Sequence, residues 1–256
     1  MAQAGPDRRR ISGPEDSSPP LLIPDEQDSR GDDRQGRTAG DVRRIFLQPG
    51  LINQANGSAY IETERTKIAC AVYGPRQSKN VPYHEKGKLN VEVKFASFSS
   101  PQRRAPLRDA EDRSLALAIY QALVPAVRLE SLPKSTIDVF INIIEADGTD
   151  ACIAAGTTAA STALADAGIE MIGLVTSCSA AIVGGQVWLD LTEAETRWST
   201  GSLVMACLPA LGTVTSIWQT GSMTVSESFQ CMDQCQSRCM DIHGVVAQAL
   251  QECGYA

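Results

Sequence analysis

Gly57-Ser58-Ala59-Tyr60-Ile61-Glu62, followed by Thr66-Lys67-Ile68-Ala69-Cys70-Ala71-Val72-Tyr73-Gly74-Pro75-Arg76, reads as two successive strands. Both runs alternate or stay apolar and carry β-branched and aromatic residues, as buried strands do. Gly74-Pro75 supplies the turn that ends them. Midway along the chain, Ala163-Leu164-Ala165-Asp166-Ala167-Gly168-Ile169-Glu170 reads as the end of a helix, with Gly168 at the C′ position that favours a left-handed residue. That helix covers 151–167 and is almost wholly Ala, Thr, Ser and Leu, small side chains that permit close packing on a sheet.

Outward from these stretches the pattern stays mixed. Strands are predicted at 42–47, 57–62, 67–73 and 88–97, with a turn over 53–57 and a polar loop over 79–87. A helix with Leu115, Ile119, Ala122 and Leu123 on one face is predicted over 112–127, then a buried strand over 136–145. Further strands are predicted at 172–183, 186–190, 202–208 and 213–220. Gly184-Gly185 is a hairpin signal between the first two. A final helix spans 226–253, interrupted or kinked near Gly244. This order predicts an α+β sandwich of sheets and helices rather than a regular doubly wound fold.

Residues 1–40 are rich in Pro, Ser, Gly, Asp and Arg, including Ser17-Ser18-Pro19-Pro20 and Arg30-Gly31-Asp32-Asp33. Such a segment buries too little apolar surface to offset ordering entropy, so an arm over 1–40 and a folded domain over 41–256 are expected. Leu21-Leu22-Ile23-Pro24 is a candidate docking segment and Arg8-Arg9-Arg10 a solvated charge run. No apolar run approaches the ~20 residues that span a bilayer, and the start lacks a signal-peptide core, so a soluble intracellular protein is expected. The eight cysteines are then expected to remain thiols, four of them in buried strand or helix.

The net charge of −7 is unevenly spread. Residues 1–40 carry six basic and eight acidic side chains, 41–113 thirteen and eight, and 114–256 four and fourteen. A basic half beside an acidic one suits a polyanion-facing surface or a complementary protein partner. The candidate RNA-binding residues are Arg103, Arg104, Arg108 and Arg113, with Lys88 and Lys94 nearby. Arginines neutralise phosphates and stack on bases. Phe95 and Phe98 precede the cluster as stacking candidates, though buried strand positions are the expectation for both.

Other chemistry finds little support. Cys231, Cys235, Cys239 and His243 recur every four residues, but twelve residues of helix at ~1.5 Å rise separate the ends by roughly 18 Å, so they cannot converge on one metal. A thiol stripe packed on a sheet is expected. No nucleophile elbow, dinucleotide fingerprint or Walker loop occurs. Gly148-Thr149-Asp150 lies in a strand-to-helix turn, but Asp147 and Asp150 disfavour an anion there, and a satisfied helix cap is expected.

The strands at 57–76 and the stretch 163–170 resemble the RNase PH family, whose members degrade RNA 3′ to 5′ by phosphorolysis. Pro133-Lys134-Ser135-Thr136-Ile137-Asp138-Val139-Phe140 and Glu145-Ala146-Asp147-Gly148 follow the family pattern too. The resemblance spans about 41–250. It implies the RNase PH-like (ribosomal protein S5 domain 2-like) fold, two βαβα-like halves with mixed sheets and packed helices, in a ring with a central channel. The opening Asp7-Arg8-Arg9-Arg10-Ile11-Ser12-Gly13-Pro14-Glu15-Asp16 is similar to the start of eukaryotic RNA exosome ring subunits of the mRNA transport regulator type.

Active relatives carry Leu-Asp-x-x-x-Glu-Glu-Asp with a second acid six residues on. Anchored on Leu189-Asp190 and Ala206-Cys207-Leu208-Pro209, those two catalytic positions hold Thr196 and Ser202, neither of which can act as a carboxylate. Asp190, Glu193 and Glu195 remain at other positions. The phosphate-binding Gly-Ser/Thr-Arg turn falls on Ala151, Cys152 and Ile153, and no basic residue occurs between Lys134 and Arg197. The family's RNA-gripping arginines fall near Glu111, close to Arg108 and Arg113 but out of register.

The resemblance thus implies a non-catalytic exosome core subunit with no catalytic residues, metal or cofactor. Its implied partners are other RNase PH-like ring subunits, S1/KH-type cap subunits, RNA and, indirectly, a hydrolytic nuclease, with exposed sheet edges covered by partners. Nucleus, nucleolus and cytoplasm are the implied locations. The alternatives are an active phosphorolytic exoribonuclease using Asp190, Glu193 or Glu195, and a free-standing RNA-binding protein using 88–113.

Overall fold

The structure is a computed structural model and describes residues 34, 36–77, 84–100, 103 and 112–254. Arg37–Ala256 form one compact unit. This unit begins with β1 (Phe46–Pro49), β2 (Gly57–Thr63), β3 (Thr66–Gln77), β4 (Lys88–Phe95), α1 (Asp112–Leu123), β5 (Ser135–Glu145) and α2 (Thr149–Asp166). It continues with β6 (Thr176–Val183), β7 (Gln186–Leu189), a short α3 (Glu193–Thr196), β8 (Ser199–Leu208), β9 (Thr213–Gly221) and α4 (Val225–Gly254).

Two sheets result. The first has the order β1-β2-β3-β5-β4, antiparallel except for the parallel pair β4 and β5. The second has the order β7-β6-β8-β9 and is antiparallel throughout. Val183 pairs with Gln186, so Gly184 (φ 58°) and Gly185 (φ 80°) form a two-residue turn with both residues left-handed, the conformation that matches strand twist.

The small side chains of α2 follow from its place between the sheets. Residues 151–164 are buried on every side, against β2 and β3 of one sheet and β6 and β8 of the other. A helix covered all round shows no polar face. Its hydroxyls are satisfied locally: Thr157, Thr158 and Thr162 donate to the carbonyls of Ile153, Ala154 and Thr158. Ser161 Oγ accepts from Val175 N across the layer. Gly168 (φ 69°) ends the helix as expected, with Gly168 N bonding Ala165 O and Ile169 N bonding Leu164 O.

The far face of the second sheet packs on α4. Cys231, Cys235 and Cys239 are fully buried there, beside Cys178 and Cys207 of β6 and β8. The thiol stripe is therefore core, and burial reaches seven of the eight cysteines rather than four. Burial pushes the Cys231 thiol up to about 11 and raises Cys70 as well, while the hydrogen bond with Cys235, and then burial, raises Cys178. Only thiolates react readily. In the native protein, Ellman's reagent is expected to titrate Cys253 alone, and all eight thiols after denaturation. Fast native reaction of Cys231, Cys235 or Cys239 would show that α4 opens from the sheet.

Several boundaries differ from expectation. The strand expected at 42–47 begins at Phe46, because Arg43 is drawn into a buried ion pair. The first helix stops at Leu123 rather than 127. The strand expected from 172 begins at Thr176, since Ile172 N instead bonds Ala126 O. β8 starts three residues early, at Ser199. The last helix runs unbroken through Gly244, where a Cβ would meet nothing within 4 Å. The cap expected at the start of α2 is absent: Gly148 (φ 93°) is the N-cap residue and no side chain caps the helix. Part of the expected 79–87 loop, and the candidate segments within 1–33, lie outside the described residues.

Candidate functional site

A cleft of about 340 Å³ opens where the two halves meet. Phe95 closes it from the first sheet, Gly148 and Thr149 from the start of α2, and Glu193, Thr196 and Arg197 from α3 and its end. Behind it lies an ion cluster. Arg43 is wholly buried, its Nε and Nη2 donating to the two carboxylate oxygens of Asp190 at 2.8 and 2.6 Å and its Nη1 to Asp147 Oδ2 at 2.6 Å. Arg43 N also donates to Asp190 Oδ2. Asp147 Oδ1 accepts from Glu193 N, so the same carboxylate anchors α3.

Burial opposes the charge on Arg43, but its hydrogen bond and ion pair with Asp190, then Asp147, more than offset this and raise its pKa. Burial likewise favours a protonated Asp190, yet Arg43 holds its carboxyl below the usual range. Asp190 sits at φ 51°, a left-handed conformation that Asp tolerates better than most side chains.

Glu195 is committed as well. Its carboxylate accepts from Thr192 N while Thr192 Oγ1 accepts from Glu195 N, a reciprocal capping box. It also lies 3.6 Å from Arg37 Nη2. Of the three acids picked from the sequence, Glu193 alone lines the cleft.

The two hydroxyl residues singled out from the sequence, Thr196 and Ser202, are in local bonds. Thr196 Oγ1 donates to Thr192 O at the cleft wall, and Ser202 Oγ lies 2.7 Å from Thr220 Oγ1. Ala151, Cys152 and Ile153 are buried in the first turns of α2, each no more than 5% exposed. Arg197, at the opposite wall, is the one cation among the described cleft residues.

Neither of the two described RNA candidates lines the cleft. Arg103 is exposed in the connection before α1 and Arg113 is exposed on α1, while Arg104 and Arg108 lie outside the described residues. Lys94 pairs with Glu92 on β4. Phe95 is half-buried against the core, as expected, but Phe98 is 75% exposed, contrary to expectation, because β4 ends at Phe95 and the chain turns outward.

Sequence reasoning missed Arg43 and Arg37. A signal for Arg43 existed: strand alternation puts it on the same face as Ile45 and Leu47, and an arginine on an apolar face implies a buried partner.

The comparisons agree with this architecture. The chain matches the description "3′ exoribonuclease family, domain 1" over residues 41–170 and "domain 2" over 173–238. It is 36% identical over 248 residues to the exosome complex component mtr3 of Schizosaccharomyces pombe, covering 95% of each chain. It is also 36% identical to human exosome complex component MTR3, covering 95% of this chain and 94% of that one. The crystal structure of rice Rrp46 superposes with a TM-score of 0.74 at 20% identity, covering 84% of this chain and 99% of that one. The fold is thus the α+β RNase PH-like fold. The boundary between the two matched regions falls between α2 and β6, where one sheet gives way to the other, and on both the sequence match and the shared architecture the chain belongs to the RNase PH-type 3′ exoribonuclease family.

Proposed function

We propose that the chain is a core ring subunit of an RNA exosome and performs no phosphorolysis itself. The observation that carries this is the use made of its acids: Asp190 is bound by Arg43, Glu195 caps α3, and Glu193 is the one carboxylate among the described residues lining the cleft. Acid–base and metal-assisted phosphoryl chemistry needs carboxylates that face the substrate. The names of its relatives support the assembly, since both are exosome components matched along nearly their whole length. The neighbours would be other RNase PH-like chains, with S1/KH-type caps above, RNA in the channel and a hydrolytic nuclease beyond it. Nucleus, nucleolus and cytoplasm are the corresponding locations.

Two measurements test this. Native mass spectrometry of the tagged protein from its own cells is expected to show a complex of several different chains, including other RNase PH-like ones. A monomer or homo-hexamer would break the ring reading. An RNA oligomer incubated with the purified chain, phosphate and magnesium is expected to release no nucleoside diphosphate. Release that Glu193→Gln abolishes would place phosphorolysis in this cleft.

A further inference from the structure

Five cysteines lie in the layer between the second sheet and α4, and four of them are paired across it. Cys178 of β6 is hydrogen-bonded to Cys235, and Cys207 of β8 to Cys239. Among the described residues no three metal-ligating side chains converge, so the thiols do not make a metal centre. Two sulfurs in contact have another chemistry open to them. A disulfide, with its S–S bond of ~2.05 Å, asks such a pair to close in rather than to rearrange.

Cys207 and Cys239 are the better prepared pair. The register of β6 and β8 places Thr176 opposite Cys207. Thr176 is joined to Cys239 twice: its Oγ1 donates to Cys239 O at 3.1 Å, and Cys239 Sγ donates to Thr176 O at 3.8 Å. The same hydroxyl lies 4.0 Å from Cys207 Sγ. One buried threonine thus seats the α4 thiol beside the β8 thiol. The bond from Cys239 holds the Cys207 thiol below its usual range, against burial, and Thr176 adds to the effect. The same bond, and then burial, raises Cys239. Cys207 therefore has the thiolate character of a nucleophile, and Cys239 stands in the place of a resolving thiol.

We propose that Cys207 and Cys239 form a disulfide site oxidised by hydroperoxides, which ties α4 covalently to the second sheet. The Cys207 thiolate attacks one peroxide oxygen and the O–O bond breaks. The leaving hydroxide takes up the proton that Cys207 gave up, and Cys207 becomes a sulfenic acid. Cys239 sulfur then attacks Cys207 sulfur and the S–O bond breaks. The hydroxyl leaves as a second water with the Cys239 proton. The pair loses two electrons and two protons, and one hydrogen peroxide becomes two waters. Cys207 is 2% exposed and Cys239 0%, which restricts the oxidant to a molecule near the size of water. Hydrogen peroxide meets that limit, and Ellman's reagent does not. The product is uncharged, as the apolar surroundings of Leu203, Met205 and Ile242 require.

The full chain, reduced and then freed of reductant, tests this once its exposed Cys253 has been alkylated in the native state. Seven thiols then remain. After hydrogen peroxide, removal of the excess with catalase, and denaturation, Ellman's reagent is expected to count five. Mass spectrometry without reduction is expected to find the peptide carrying Cys207 joined to the one carrying Cys239. Cys239→Ala is expected to lose the joined peptide and leave a Cys207 sulfenic acid that dimedone labels at least about tenfold more than in the unmodified chain. Seven thiols after peroxide overturn the proposal, and so does a linkage of Cys178 to Cys235 in its place. Loss of thiols with no joined peptide overturns it as well, because oxidation would then stop at single sulfurs. If Cys239→Ala does not fold, the linkage map of the unmodified chain decides alone.

Discussion

Replacing Arg43 by Met is expected to cost about 3–5 kcal/mol of folding stability, the loss usual when one partner of a buried charge cluster is removed. Asp190 and Asp147 would be left buried without their guanidinium. For a unit of this size, that lowers the melting temperature by roughly 6–20 °C. Arg43→Lys should recover only part of it, because a single ammonium cannot reproduce a fork that holds Asp190 with two nitrogens and Asp147 with a third. Adding Asp190→Asn to Arg43→Met should restore stability by removing one stranded charge.

The pH dependence has a definite sign. The folded pKa of Asp190 is depressed, so its contribution is present above the unfolded value, ~3.9, and is lost as pH falls through the lower folded value. The raised pKa of Arg43 keeps it charged throughout this range. The gap in melting temperature between the unmodified chain and Arg43→Met should therefore be full at neutral pH and close below about pH 4. Thermal melts across that range check both claims. A gap under ~2 °C at pH 7, corresponding to no more than ~1 kcal/mol, would show that this cluster does not hold the junction.

The cluster also shows where sequence reading stops. Strand periodicity located β2, β3, β5 and the β6–β7 turn because each depends on local alternation and turn chemistry. The alanine-rich α2 was recognisable for the same reason. Arg43, Asp147 and Asp190 come from three loops separated by 104 and 147 residues, and no local pattern encodes their meeting. Two of the three acids counted along the chain as survivors of a catalytic motif, Asp190 and Glu195, are thus engaged in structural bonds. That β9 is the last strand of its sheet was equally illegible by periodicity, because strand order is set by pairing between distant segments.

One long-range contact joins the two stretches on which the family resemblance rests. Gly57 starts β2, and α2 ends over it, with Ser58 N donating to Asp166 Oδ2 at 2.8 Å. A Cβ on Gly57 would lie 2.7 Å from Ala167 Cα, and nearer still to Ala167 N and Ala163 O. All three are backbone atoms, which cannot swing aside as a flexible side chain can. Gly57→Ala is therefore expected to cost about 3 kcal/mol or more, at the upper end of overpacking penalties. Gly168→Ala is the matched control. Gly168 sits at φ 69°, and a methyl placed there would meet no atom within 4 Å, so it carries only the left-handed backbone penalty of ~1–2 kcal/mol. Urea denaturation of the two variants separates steric contact from backbone strain. If Gly57→Ala costs no more than Gly168→Ala, α2 can lift from β2 without loss, and this close approach does not fix where the central helix sits. If it costs more, the contact between these two distant stretches is what seats α2 between the sheets, and through α2 it sets the wall of the cleft formed by Gly148 and Thr149.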